Sequence, residues 1–295
     1  MKQSLTYYIT LLVIKLKGLK RDFSKDPIDF TKIRKEDVYH PKGVFFKTNI
    51  LREFKVSDTV IHEVGLNKKF EKLLIFVHGG AFISGPAQHH WDTLKKIAQQ
   101  TDYKIWMCNY PKAPENKIAL ISENIDAVYE LALKAYAPNQ ITIIGDSAGG
   151  TLAISLMQRL VKKNIKRPSK IILISPVMDA SMSNPEIEKV DGTDPMISKK
   201  GILSAKKMCV ENNDLKNPMI SPLYGNFKSF PRTILFLAEN DITYPDQKLA
   251  IQKLMKAKVN HEIIEGKNMP HIWPLLPIMK EAKTSLNEII IILNS

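Results

Sequence analysis

The sequence is poor in cysteine, in arginine and in long apolar runs, and each shortage excludes a class of protein. Two cysteines, Cys108 and Cys209, stand about a hundred residues apart and build no disulfide framework. They are expected to be buried, reduced thiols, which fits a reducing, cytoplasmic compartment. No apolar run approaches the roughly 18 residues of a spanning helix, which excludes a polytopic membrane protein. Arginine supplies only six of the 43 basic residues. Bidentate recognition of phosphates and base edges favours arginine, and no zinc-finger, helix-turn-helix or RNA-binding signature accompanies the lysines, so no nucleic-acid partner is expected. H-E-x-x-H is absent, and the pair His89-His90 has no neighbouring cysteine or acidic ligand set, so neither metal nor other cofactor is expected.

What is present is an ordinary globular composition, 44% hydrophobic and 25% charged over 295 residues, enough for a large core. The net charge of +13 is uneven, because residues 1–72 carry 16 Lys and Arg against 9 Asp and Glu. Within residues 5–19, Leu5, Tyr8, Ile9, Leu12, Leu16 and Leu19 recur at helical spacing, flanked by Lys2, Lys15, Lys17 and Lys20 and no acid. A short apolar stretch followed by Lys-Leu-Lys is not a cleavable signal peptide. Two readings remain. Its apolar face packs on the rest of the protein, or it contacts an anionic membrane surface.

Residues 44–56 and 59–64 alternate or are rich in β-branched side chains, and predict an antiparallel entry to a sheet. Apolar runs then follow at 73–77, 105–108, 141–144, 171–174, 233–238 and 262–264, with helix-length segments at 91–100, 122–136, 148–163 and 246–258 between most of them. Short continuous apolar strands alternating with helices predict an α/β fold, a mostly parallel twisted sheet with helices on both faces. The rhythm breaks at 177–230, which carries Pro185, Pro195, Pro218 and Pro222 and a helical stretch near 198–210. This stretch predicts a small helical cap inserted into a catalytic domain of residues 41–295, with residues 1–40 as an N-terminal helical segment that joins the cap.

Two motifs carry chemistry. Gly145-Asp146-Ser147-Ala148-Gly149 fits G-x-S-x-G and lies between a strand and a helix. There a tight turn strains the serine and exposes its hydroxyl, and the helix N-terminus favours negative charge. His78-Gly79-Gly80-Ala81-Phe82 directly follows the strand at 73–77, and a glycine-rich turn in that place can aim backbone N–H groups at a tetrahedral oxyanion.

Together with Tyr110, Ala113-Pro114-Glu115, Ser175-Pro176, Ser221-Pro222-Leu223 and Asp241, these motifs resemble the hormone-sensitive-lipase-like family of α/β hydrolases, also called the third α/β-hydrolase domain family, from about residue 73 onward. The resemblance implies an α/β-hydrolase fold with Ser147 as nucleophile and Gly80, Ala81 and Ala148 as oxyanion donors, Gly79 lying in the same turn. Ala81 replaces the third glycine of the usual motif, which keeps a backbone donor but adds a methyl group. The triad order Ser, acid, His places the acid at Asp241, at a strand end, with Asp246 and Glu239 as rivals. Of the seven histidines, His271 lies where the family's base falls, although Ile272 follows it where many members have glycine.

The implied activity is that of a serine carboxylesterase acting through an acyl-enzyme on esters of small to medium acyl chains. A lipase acting on longer-chain lipids at a membrane surface is the alternative, an amidase a further one. A non-catalytic ligand-binding homologue is the alternative of another class.

Overall fold

The structure, a computed structural model, describes residues 2–66 and 70–295. Eight strands, β1 (Ile50–Val56), β2 (Thr59–Val64), β3 (Lys72–Val77), β4 (Tyr103–Asn109), β5 (Ile141–Asp146), β6 (Lys170–Ile174), β7 (Arg232–Asn240) and β8 (His261–Pro270), form one sheet. Their order is β1-β2-β4-β3-β5-β6-β7-β8. β1 pairs antiparallel with β2, and β2 with β4; every later pairing is parallel. The reason is legible in the side chains. Leu73, Leu74, Ile75, Phe76 and Val77 of β3 are all buried, as are Ile141, Ile143 and Ile144 of β5. A strand apolar on both faces must be covered on both faces, and the right-handed crossover helices do this. These helices include Gln88–Gln100, Ile118–Ala135, Ala148–Lys162, Tyr244–Lys256 and Lys280–Asn294.

The parallel arrangement sends the C-terminal ends of β3, β5, β7 and β8 to one edge of the sheet, where the loops after them meet. Over that edge lie two helices of the 177–230 stretch, Ile187–Asp191 and Lys199–Cys209. Ser198 caps the second by accepting from the Gly201 N–H. The N-terminal arm packs on it. The Ile28 N–H donates to Ser204 Oγ at 3.0 Å, and Ser198 Oγ donates to the Phe23 carbonyl at 3.1 Å. A Cβ on Gly201 would fall 1.7 Å from the Phe23 oxygen, so only glycine allows this approach.

Three sequence expectations need correction. Residues 44–49 form a helix, Val44–Asn49, and the first strand begins only at Ile50; burying Phe46 against Trp91 outweighs local β-propensity. The helix expected at 91–100 begins earlier, at Gln88, and takes in His89 and His90. The N-terminal helix Leu5–Lys17 does pack on the protein, but through Tyr7, Thr10 and Ile14. The Tyr7 hydroxyl donates to the Asn268 carbonyl at 2.9 Å, and Ser4 donates to Glu281 through both its N–H and its hydroxyl. The stripe that carries the helical periodicity, Leu5, Tyr8, Ile9, Leu12 and Leu16, faces outward.

Candidate active site

β5 ends at Asp146, and Ser147 follows with φ 48° and ψ −117° before the helix Ala148–Lys162 begins. This backbone is strained for a side chain with a Cβ, at a cost of order 1–3 kcal/mol that the surrounding structure must hold. Gly149 permits it, since a Cβ there would lie 1.9 Å from the Val77 carbonyl oxygen. The turn therefore sits directly against the end of β3, where the His78-Gly79-Gly80 segment starts.

His271 immediately follows β8, and Asp241 immediately follows β7. Their side chains converge on the serine. His271 Nε2 lies 2.9 Å from Ser147 Oγ, and His271 Nδ1 lies 2.8 Å from Asp241 Oδ2. The other Asp241 oxygen accepts from the Thr243 N–H at 2.8 Å, which fixes the carboxylate plane. All three residues are buried. Burial pushes the His271 pKa down, but the charge and hydrogen bond of Asp241, with Asp194 and Asp146 farther off, outweigh it and leave it above the ordinary histidine value.

The rivals for the acid lie elsewhere. Asp246 accepts from Asn184 Nδ2 at 2.8 Å, and Glu239 accepts from the Asn268 N–H at 2.8 Å; neither bonds to His271. Burial raises the Asp246 carboxyl to about 6.

The glycine-rich turn faces the serine: a Cβ on Gly79 would lie 3.1 Å from Ser147 Cβ. Gly80 has φ +117°, and a Cβ there would strike the Ser84 carbonyl at 2.2 Å. Ala81 takes φ 54° and Phe82 φ 67°, so the alanine at the third motif position adopts the left-handed conformation that a glycine would adopt at lower cost. The N–H groups of Gly80, Ala81 and Ala148 make no hydrogen bond among the described residues, as donors reserved for a ligand oxygen should.

Two acids were missed by sequence reasoning. Asp194 accepts from the Ile242 N–H at 3.0 Å, next to Asp241, and from the Met196 and Ile197 N–H groups. Burial and the Asp241 charge raise its pKa to about 7. It comes from the cap, 47 residues before Asp241, and nothing local in sequence links the two. Asp146 accepts from the Gly79 N–H at 2.9 Å and faces His90 Nε2 at 3.3 Å. The second residue of the serine motif thus ties the two chemical turns together. Its pKa falls below the ordinary value; burial opposes this, but His90, His89 and the Gly79 N–H outweigh it.

His89, His90 and Asp146 bring three possible metal donors within 4.8 Å, so the fold supplies the acid that the sequence around this histidine pair does not place in a ligand set. The set does not fit a metal. His90 Nδ1 accepts from the Ala87 N–H, so the proton sits on Nε2 and points at Asp146, where a metal would need a lone pair.

A sheet whose parallel strands deliver a serine on a strained strand-to-helix turn, a histidine and an aspartate to one edge defines an α/β hydrolase. The chain belongs to the hormone-sensitive-lipase-like family of this class, the family model for this alpha/beta hydrolase fold matching residues 74–275. It is 26% identical over 223 residues to an esterase of Acinetobacter venetianus, covering 73% of each chain. It is 25% identical over 228 residues to a carboxylesterase/phospholipase of Mycobacterium tuberculosis, covering 74% of this chain and 60% of that relative. The fold matches the crystal structure of an esterase from the bacterial hormone-sensitive lipase family with a TM-score of 0.86 and 20% identity, covering 99% of this chain and 98% of that one. No described helix is long and apolar enough to cross a membrane.

Proposed function

We propose that the protein is a serine carboxylesterase that hydrolyses esters of small to medium acyl chains. The observation that carries this is the continuous path from Ser147 Oγ through His271 to Asp241, at 2.9 and 2.8 Å, beside backbone N–H groups that have no other partner among the described residues. His271 takes the hydroxyl proton as Ser147 attacks the ester carbonyl, and Asp241 holds the imidazole with its proton on Nδ1 and stabilises the imidazolium. The N–H groups of Gly80, Ala81 and Ala148 receive the oxyanion, each worth a few kcal/mol in the transition state. His271 then protonates the leaving alcohol. Water, activated by the same base, releases the acid from the acyl-enzyme.

The 177–230 cap meets the catalytic edge through Asp194, which accepts from the Ile242 N–H, and Lys206, over the Phe82 ring, and the N-terminal arm packs on the cap helix at Ser198 and Ser204. A cap seated this close to the serine supports short acyl chains over the long chains of a lipase. Turnover of p-nitrophenyl esters should therefore fall as the acyl chain lengthens. A fluorophosphonate probe should label the protein, and Ser147→Ala should lose both labelling and turnover while its Tm stays unchanged. Wild-type labelling in Ser147→Ala would remove the assignment.

We further propose that the protein works in the cytoplasm and rests on an anionic membrane surface through the helix Leu5–Lys17. Its exposed stripe, Leu5 at 76% and Leu16 at 77% with Tyr8 and Leu12 between them, adjoins Lys15 and Lys17, and the helix contains no acid. Apolar side chains entering the interface beneath a lysine rim match an anionic lipid surface. The full chain should float with vesicles containing phosphatidylglycerol, and Leu12→Glu combined with Leu16→Glu should stop it. Flotation of the variant like that of the wild type, or self-association of the wild type through this stripe in place of flotation, would reject this reading.

A further inference from the structure

Away from the candidate active site, at the antiparallel edge of the sheet, the fold assembles a second constellation from three separate segments. Glu53 of β1 and His62 of β2 are direct cross-strand partners, and the chain leaving the N-terminal arm lays His40 beside them. His62 Nε2 lies 2.9 Å from Glu53 Oε2, and His40 Nδ1 lies 3.8 Å from the same oxygen. One donor atom from each residue lies within 4.8 Å of the other two. In a tetrahedral zinc site, with bonds of about 2.0–2.1 Å, neighbouring ligand atoms stand about 3.3 Å apart. The distances from Glu53 straddle that value, so small rotations of an exposed histidine and an exposed glutamate would satisfy it.

His62 supplies the independent observation. Its side chain is only 2% exposed, yet Nδ1 has no hydrogen-bond partner among the described residues and Nε2 faces only the Glu53 carboxylate, at 2.9 Å. Buried polar groups without a partner are rare and costly. Trp91 stacks edge-on against the ring at 5.3 Å, which holds it in place. The contrast with His90 is instructive: there Nδ1 accepts from the Ala87 N–H and Nε2 faces Asp146, whereas among the described residues His62 Nδ1 has no partner and Nε2 meets only Glu53, a member of the same donor set.

We infer that His40, Glu53 and His62 form a zinc site, with the fourth position open to solvent. Two imidazoles and a carboxylate are the donor set zinc accepts, and they are too nitrogen-rich for magnesium or calcium. Bound there, the ion clips the segment around His40 to the β1–β2 hairpin. The same segment carries Asp37, which accepts from the Gly85 N–H, and Val38, whose carbonyl accepts from Trp91 Nε1 at 2.7 Å. The clip therefore stiffens the connection between the N-terminal arm and the loop that follows the oxyanion turn.

The test uses the full chain, stripped with a chelator and returned to metal-free buffer, and titrated with Zn2+ against a chromogenic competitor. One zinc per chain should bind with micromolar or tighter affinity and raise the Tm. His40→Ala changes a side chain that is 83% exposed, so its fold is secure, and it should weaken binding by more than about tenfold. Glu53→Gln should do the same, and both should lose the Tm gain, while His89→Ala should keep both. Co2+ in place of Zn2+ should give the visible absorption of a tetrahedral N/O site, lost in His40→Ala. No stoichiometric binding to the wild type, or binding that His40→Ala leaves unchanged, would overturn the site.

Discussion

Replacing Asp241 by asparagine removes a charge and, more decisively, reverses a proton. Asp241 is fully buried and holds two partners: one oxygen accepts from the Thr243 N–H at 2.8 Å and the other faces His271 Nδ1 at 2.8 Å. The Thr243 N–H needs an acceptor, so the amide oxygen of the introduced side chain would stay there and its NH2 would turn to His271. An NH2 group can only donate. His271 Nδ1 must then accept, which moves the imidazole proton to Nε2, pointing at Ser147 Oγ. A nitrogen already carrying a proton cannot take the one from serine. Triad enzymes lose about four orders of magnitude from this change, about 5.5 kcal/mol at 1.36 kcal/mol per decade. The matched control is Asp246→Asn, whose side chain bonds to Asn184 and not to His271; it should keep turnover within a few-fold. The assay is kcat/KM on p-nitrophenyl acetate, with the Tm of each variant to confirm folding. If Asp246→Asn loses more activity than Asp241→Asn, the tautomer reasoning and the choice of acid are both wrong.

Two further predictions use buried titratable groups. Asp194 stands close enough to the His271–Asp241 pair for its charge to favour the imidazolium, so Asp194→Asn should move the acidic limb of kcat/KM to lower pH, because His271 then deprotonates more readily; a shift toward higher pH, or none, would contradict this role. Lys206 is fully buried, its ammonium has no hydrogen-bond partner among the described residues, and it stands 3.9 Å from the centroid of the Phe82 ring. A cation–π contact of about 2 kcal/mol does not offset the desolvation of an unpaired ammonium, and burial lowers its pKa to about 7. Lys206→Met should therefore raise stability by about 1–3 kcal/mol. Because the folded-state pKa is depressed, the penalty in the wild type is largest below about pH 7, where the lysine is protonated in both states and the folded protein bears the full cost of its buried charge. Between there and the ordinary lysine value of about 10.4 the unfolded chain binds a proton that the folded chain does not, so wild-type stability rises with pH across this window. Chemical denaturation across that range should show the Met variant's advantage narrowing with pH; an advantage that grows with pH would refute it.

Much of this protein follows from its sequence by local rules. The apolar runs of β3 to β7 and the helices between them state a doubly covered parallel sheet, because a strand greasy on both faces has no other stable setting. The turn around Ser147 is equally legible: small residues between a strand and a helix signal a close approach whatever lies beyond. Ile272 takes φ 50° in the structure, a left-handed backbone that a lone isoleucine in the sequence does not disclose. Other features are invisible locally because they depend on which ends of the chain meet. The pairing of Asp146 with the Gly79 N–H, the acid behind Asp241 and the His40–Glu53–His62 set each join residues from different elements. The outward turn of the Leu5–Leu16 stripe was decided the same way. Periodicity determines that a helix has an apolar face, but only tertiary packing decides whether that face is covered. Here the hydroxyl of Tyr7 and the carboxylate of Glu281 anchor the opposite side, because directional hydrogen bonds at the helix start fix its rotation in a way that a non-directional apolar stripe cannot.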